Sequence, residues 1–296
     1  MADLDKASGS EGVATFGNEQ DGDISSIAAF RYGEALELDA EVMAHGGLRA
    51  MLARGSCRAF EPQPVSTSLC MALCAVALAA PTKSDLQLRD IVLLRDETAK
   101  ARLLELIGSE VWVKDAPNIA LICGNHRRQR LLHKIQGHTF ANDHLDSFFN
   151  ATVDAAIALS TFVAAAESMG LGCCPVSAVR NEAAAVSDLL ALPDYVFPVA
   201  GLAFGYPAAA TQRISLRLPL SATVHQDRYS EHDVERRIQR YNARRSAFQP
   251  YTQQRSRERF GTSETYGWAE DKARQYALPE RADFGTFIRS KGFRLE

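Results

Sequence analysis

The 296-residue sequence has no G-x-S-x-G turn, no H-E-x-x-H pair and no Walker loop. The acyl-transfer, zinc-protease and P-loop chemistries tied to those motifs therefore have no anchor here. Cysteines are few and scattered, at 57, 70, 74, 123, 173 and 174, without the spacing of a disulfide scaffold. Free, buried thiols in a reducing, cytoplasmic setting are expected instead. Cys70 and Cys74 are four apart on one helix but have no histidine or carboxylate beside them, so core packing is expected rather than a metal. His126, His133, His138 and His144 fit no ligand spacing either. No basic-then-apolar leader opens the chain. The apolar run near 151–166 is interrupted by Asp154, Ser160 and Thr161, so no membrane partner is expected. A net charge of -3 gives no field for nucleic acid.

What is present is an ordinary globular composition, 46% hydrophobic and 23% charged, in a chain long enough to bury a full core. Residues 1–30 read as an acidic, flexible arm, with Asp3, Asp5, Glu11, Glu19, Asp21 and Asp23 against Lys6 alone. Residues 31–296 read as a single domain, the folded region starting between Ile24 and Leu36. Ser66 caps a helix whose buried stripe is Leu69, Leu73, Val76 and Ala77, ended by Pro81. Residues 90–94 and 118–123 are strand candidates, separated by a helix capped by Asp96. Leu145 to Met169 is the longest helix. It is apolar nearly all round, which requires a core position or a subunit interface. A helix over 182–190 and a strand over 196–204 follow. From 228 the composition shifts: nine arginines lie between 228 and 259. Ser230 with Asp233 predicts a capping box for a helix to Ala247, and closing helices are expected over 268–276 and 284–290.

The densest chemistry lies in Arg54-Gly55-Ser56-Cys57-Arg58-Ala59-Phe60, directly after an apolar segment. Two guanidiniums and a hydroxyl in five residues offer forked donors to a phosphate and a further cation beside it. Downstream stand Gly170-Leu171-Gly172 and Cys173 to Asn181 at the end of the long helix, then Pro198 to Pro207, then Arg217-Leu218-Pro219. The glycines follow a helix rather than a strand, so they form no dinucleotide fingerprint.

In this order, these motifs resemble the nitroreductase superfamily, and most closely its oxygen-insensitive NADPH nitroreductase and flavin reductase group. The resemblance covers roughly Leu36 to Glu296. It implies an α+β fold, with a central, mostly antiparallel sheet flanked by helices, and an intertwined homodimer with two FMN sites at the subunit interface. Arg54, Ser56 and Arg217 would hold the FMN phosphate, with Arg58 near the ribityl chain and pyrimidine end. Thr82, Lys83 and Gln87 fall where relatives bind the flavin from a Ser-rich turn and a Gln. Glu110 occupies the place of a ring-binding Gln, and the 170–181 segment becomes a turn whose Pro175, Val176 and Ser177 pack on the ring. Residues 228–296 would form Arg-rich helices and a loop over the active site. There Arg259 would serve the 2′-phosphate of NADPH and Arg281 the substrate side, in a register supported by Trp268. A fixed cation near flavin N1 stabilises the reduced anion, so the cofactor carries the bond chemistry and no catalytic side chain is required. The implied reaction is ping-pong transfer of two electrons from NADPH or NADH through FMN. The acceptor is a small electron-poor molecule: a nitroaromatic, a quinone or free flavin. Dehalogenation or flavin cleavage on the same fold, or flavin binding without catalysis, are the alternatives.

Overall fold

The computed structural model describes residues 22–108, 113, 115–208 and 214–296. Its centre is a four-stranded sheet of β1 (Arg89–Leu94), β2 (Asn118–Asn125), β3 (Gly172–Val176) and β4 (Val196–Gly205), in the order β1-β2-β4-β3. Every neighbouring pair is antiparallel. With its flanking helices this is the α+β architecture expected from the sequence.

β2 is buried along its whole length, because helices cover both faces of the sheet. Ile119, Leu121 and Cys123 face a cluster that includes Leu103 of α5 (Glu97–Leu106) and Val186 of α8 (Ala183–Leu189). Ala120 and Ile122 face the other way, onto α4 (Thr67–Leu78) and α7 (Leu145–Ser168). A period of two therefore divides one strand between two cores. The register of β2 and β4 slips between Ile122 and Cys123, where Pro198 enters β4 without an N–H to donate.

α4 and α5 begin where the sequence places them: Ser66 accepts from Leu69 N at 3.2 Å and Asp96 from Ala99 N at 2.7 Å. The buried stripe of α4 is Cys70, Leu73, Cys74 and Ala77; Val76, expected inside, is half exposed. All six cysteines are free and buried, as the composition suggested. α7 is capped by His144, and Gly170, with φ of 75°, turns the chain after it. Burial of α7 is one-sided. Ala151, Ala155, Ala158, Phe162 and Ala166 face the sheet, whereas Phe149 remains 59% exposed.

Other local readings are corrected. Residues 172–176 form an edge strand, not a turn, because Cys173 and Cys174 pair with Phe204 and Ala203. α6 (Arg127–Gln136) was not read as an element in the sequence. α1 (Ile24–Tyr32) is capped by Asp23 and buries Ile24 and Ile27, so folded structure begins at the early end of the Ile24–Leu36 window expected from the sequence and takes in the last residues of the 1–30 arm. α2 (Ala40–Met43) and α3 (Gly46–Ala53) follow it. The Ser230–Asp233 capping box does not form. Asp233 precedes α9 (Val234–Phe248) with φ of 56° and makes no side-chain cap. A single turn, α10 (Arg257–Phe260), interrupts the polar loop, and α11 (Trp268–Tyr276) and α12 (Phe284–Ser290) match the expected closing helices. Phe287, Ile288 and Phe293 return to the sheet, where they pack with Leu88, Ala151 and Phe197.

Candidate functional site

Arg54 ends α3 in an extended conformation, and the following residues run alongside the sheet. Cys57 N donates to Cys173 O at 2.9 Å, and Phe60 bridges to Pro207. In this extended run the side chains alternate. Gly55 and Cys57 are buried, while Arg54, Ser56 and Arg58 take the outward positions. The R-x-S-x-R spacing is thus the spacing that puts two guanidiniums and a hydroxyl on one side of an extended segment.

Two hollows of about 830 and 820 Å³ flank this segment, with Pro175 on the wall of both. Arg54 and Glu167 border the first, with α3 and α7 as its walls. Arg58 borders the second, together with Val176, Ser177, Arg180, Arg255 and Arg281.

Arg54 is oriented by Glu167. Its Nε lies 3.0 Å from Oε2 and its Nη2 2.9 Å from Oε1. A guanidinium has five N–H donors, so this fork leaves those on Nη1 and the second on Nη2 for another anion. Arg31 lies behind it, buried on α1, and donates to the carbonyls of Leu52 and Arg54. Arg217 N donates to Arg31 O at 2.8 Å, and its guanidinium rests on Ser215 Oγ at 2.6 Å. Burial, then the charges of Arg217 and Arg54, lower the pKa of Arg31. Arg31 also feels the charge of Glu167, the carboxylate that pairs with Arg54. Arg31 was not identified from the sequence. A basic residue in the last turn of α1 was the only local signal; its role is set by tertiary contacts.

Arg281 reaches across to the turn after β3, with Nε 2.8 Å from Asn181 Oδ1 and Nη2 3.4 Å from Ser177 Oγ. Arg180 is half-buried, donates to Val199 O, and has its pKa lowered by burial and then by Arg281. Arg259 is not on this wall; it sits on α10 with its guanidinium 5.5 Å from the Phe260 ring. Arg255 lines the hollow in its stead, its loop pinned by Arg274, which donates to the carbonyls of Arg255 and Gly261 at 3.1 and 2.8 Å.

Thr82, Lys83 and Gln87 are elsewhere. Thr82 Oγ1 donates to Asp154, Lys83 N donates to Asp154 Oδ1 at 2.9 Å, and Gln87 N donates to Thr82 Oγ1 at 2.8 Å. Asp154 and Glu167 are thirteen residues apart on α7, which at 1.5 Å per residue is about 20 Å. One chain therefore does not bring this group to Arg54. Glu110 lies outside the described residues.

Burial also acts on thiols of the sheet. Burial pushes Cys173 well above its ordinary range and Cys123 up to about 12. Among the described residues no group of three or more His, Cys, Asp or Glu could hold a metal.

The chain also resembles known proteins. Residues 51–206 match the model of the Nitroreductase family, and residues 215–296 that of the Nitroreductase family, C-terminal domain. An FMN reductase [NAD(P)H] of Bacillus subtilis is 30% identical over 254 residues, 84% of this chain and 98% of the relative. A Cr(VI) reductase of a Pseudomonas species is 29% identical over 80% of this chain and 95% of its own. Among solved structures, NfrA2 of B. megaterium superposes with a TM-score of 0.76 at 27% identity, covering 85% of this chain and 99% of that one. An NADPH:FMN oxidoreductase of Vibrio harveyi complexed with NAD+ gives 0.72 at 26% identity, covering 84% and 98%.

Proposed function

The chain belongs to the nitroreductase family, and on that premise we propose that it passes two electrons from NADPH or NADH through FMN to a small electron-poor acceptor. Nitroaromatics, quinones and free flavin are the acceptors considered, with donor and acceptor using one hollow in turn. The observation that carries this reading is Arg54, forked on Glu167 with donors left over on the wall of a hollow, near Ser56 in the chain and with Arg31 and Arg217 close behind. That donor set suits a phosphate dianion, which takes forked donors and a hydroxyl.

FMN, when bound, supplies the hydride acceptor and donor. The side chains have other tasks. Arg54, Arg217 and Ser56 would hold the phosphate, with Glu167 and Arg31 fixing the Arg54 fork. Arg58 and Arg281 would place positive charge along the second hollow, where Pro175, Val176 and Ser177 form an uncharged wall. Arg255 would serve the phosphate of the nicotinamide donor in place of Arg259.

The same reading includes a homodimer. Phe149 on α7, Met51 on α3 and Met71 on α4 are more than half exposed, and together they offer apolar surface for a second copy. A second copy would also supply the Thr82–Gln87 segment, which one chain holds about 20 Å away by helix rise.

An absorbance spectrum tests the whole. Purified protein with FMN should be yellow, bleach on addition of NADPH and recover its colour with a nitroarene. Protein that keeps no yellow colour after FMN is added and the excess removed by gel filtration would sink the reading.

A further inference from the structure

We propose that the cleft between α1 and α9 is a second anion site, built for a small molecule bearing phosphate. The cleft has a volume of about 310 Å³ and is lined by Gly33 and Glu34 on one side and by Arg236, Arg237, Arg240 and Arg244 on the other. Arg236, Arg240 and Arg244 are four apart and share one face of α9, where like charges repel at this spacing.

The four arginines divide into two that are fixed and two that are available. Arg244 is fixed: its Nη2 donates to Arg31 O at 3.0 Å and Arg217 O at 2.9 Å. Its Nε is buried with no acceptor. Arg237 donates to Ser221 O. Arg236 and Arg240 make no hydrogen bond or ion pair among the described residues. The two carboxylates of the cleft each have a neighbour: Glu34 accepts from Ser221 N and Oγ, and Asp233 lies 3.6 Å from His232.

Gly33 shapes the cradle. A Cβ at this position would meet Arg244 Nη1 at 1.5 Å, and its φ of +71° strains any other residue. A merely solvated arginine face would not need a guanidinium pressed against a bare backbone, nor leave a buried Nε without an acceptor. Forked donors around a small cavity match the oxygens of a phosphate group, free or at the end of a nucleotide.

The inference does not rest on FMN binding. Arg54 and Arg217 do not line this cleft, and the titration is run both with and without FMN. Pyrophosphate is titrated calorimetrically into the full chain, with ADP as competitor. Saturable pyrophosphate binding that persists with FMN present is expected. Arg236→Ala/Arg240→Ala should weaken it at least tenfold, whereas Lys134→Ala, an exposed charge on α6, should leave it unchanged. Competition by ADP assigns the site to a nucleotide; failure of ADP to compete assigns it to free phosphates. The proposal is overturned if binding is not saturable, if FMN abolishes it, or if Lys134→Ala weakens it equally. Failure of FMN to bind would count against the flavin reading and leave the pyrophosphate result standing.

Discussion

Two arginine–carboxylate pairs sit on the same helix, and their surroundings separate structure from function. At Asp154 the pair with Arg89 is sealed, with side chains 1% and 2% exposed. Each partner is further engaged: Asp154 accepts from Thr82, Lys83 N and Leu88 N, and Arg89 donates to the carbonyls of Leu78 and Ala80. At Glu167 the pair with Arg54 is 18% and 27% exposed, and the arginine keeps donors to spare on the wall of a hollow. The first pair joins the loop after α4 to β1 and α7. The second leaves one cation with open donors on the wall of a hollow. A shared chemistry on one helix thus has two uses, and unspent donors distinguish them.

Breaking the sealed pair should have the largest effect. Asp154→Ala leaves Arg89 buried without its counter-charge and should cost about 3–5 kcal/mol in urea unfolding. A loss below 1 kcal/mol would show that the pair is not what joins these elements. Breaking the open pair should act on binding instead. Arg54→Ala is expected to weaken FMN binding ~10- to 100-fold, read by fluorescence titration, with unfolding free energy changed by less than about 1 kcal/mol. If it unfolds the protein as Asp154→Ala does, the distinction fails. On the second hollow, Arg255→Ala should raise the KM for NADPH about fivefold while Arg259→Ala leaves it nearly unchanged. The reverse order would restore the assignment drawn from sequence.

A smaller effect comes from a buried histidine. His126 packs beside Phe140 and Phe293, its Nδ1 is buried without a hydrogen bond, and burial followed by the Arg130 charge pushes its pKa down to about 4. The unfolded imidazole takes a proton near its ordinary 6.5, whereas the folded one resists. Its contribution to stability is therefore full above about pH 6.5 and lost as pH falls toward 4. Thermal midpoints should drop across that window, and His126→Gln should flatten the slope. An unchanged slope would place the acid sensitivity elsewhere.

The sequence was informative wherever local chemistry decides. Ser66 and Asp96 cap the helices they announced because a side-chain oxygen one turn from an amide needs no distant help. Arg54, Ser56 and Arg58 were legible because alternation along an extended run is also local. β3 was not: Gly172 to Val176 shows no alternation, and only pairing with β4 makes it a strand. Ser230 and Asp233 looked like a capping box, yet Asp233 adopts a left-handed turn there and Ser230 Oγ accepts from His232 N instead. Within the site, Arg31 acts through its contacts with the segment ending α3 and with Arg217, more than twenty residues away in each case. The separation of Thr82–Gln87 from Arg54 follows from where the 82–88 loop docks on α7, a tertiary fact no motif encodes.

Among the described residues α7 is the one helix long and apolar enough to cross a bilayer, with a mean hydropathy of 1.5 over its most apolar window. Asp154 lies near its middle. A carboxylate at the centre of such a segment adds roughly 2.5–3.5 kcal/mol to the free energy of entering lipid. That cost opposes entry of the isolated segment into lipid. Asp154→Leu should raise the insertion of this segment in a translocon assay, so the side chain that anchors the 82–88 loop also sets that cost.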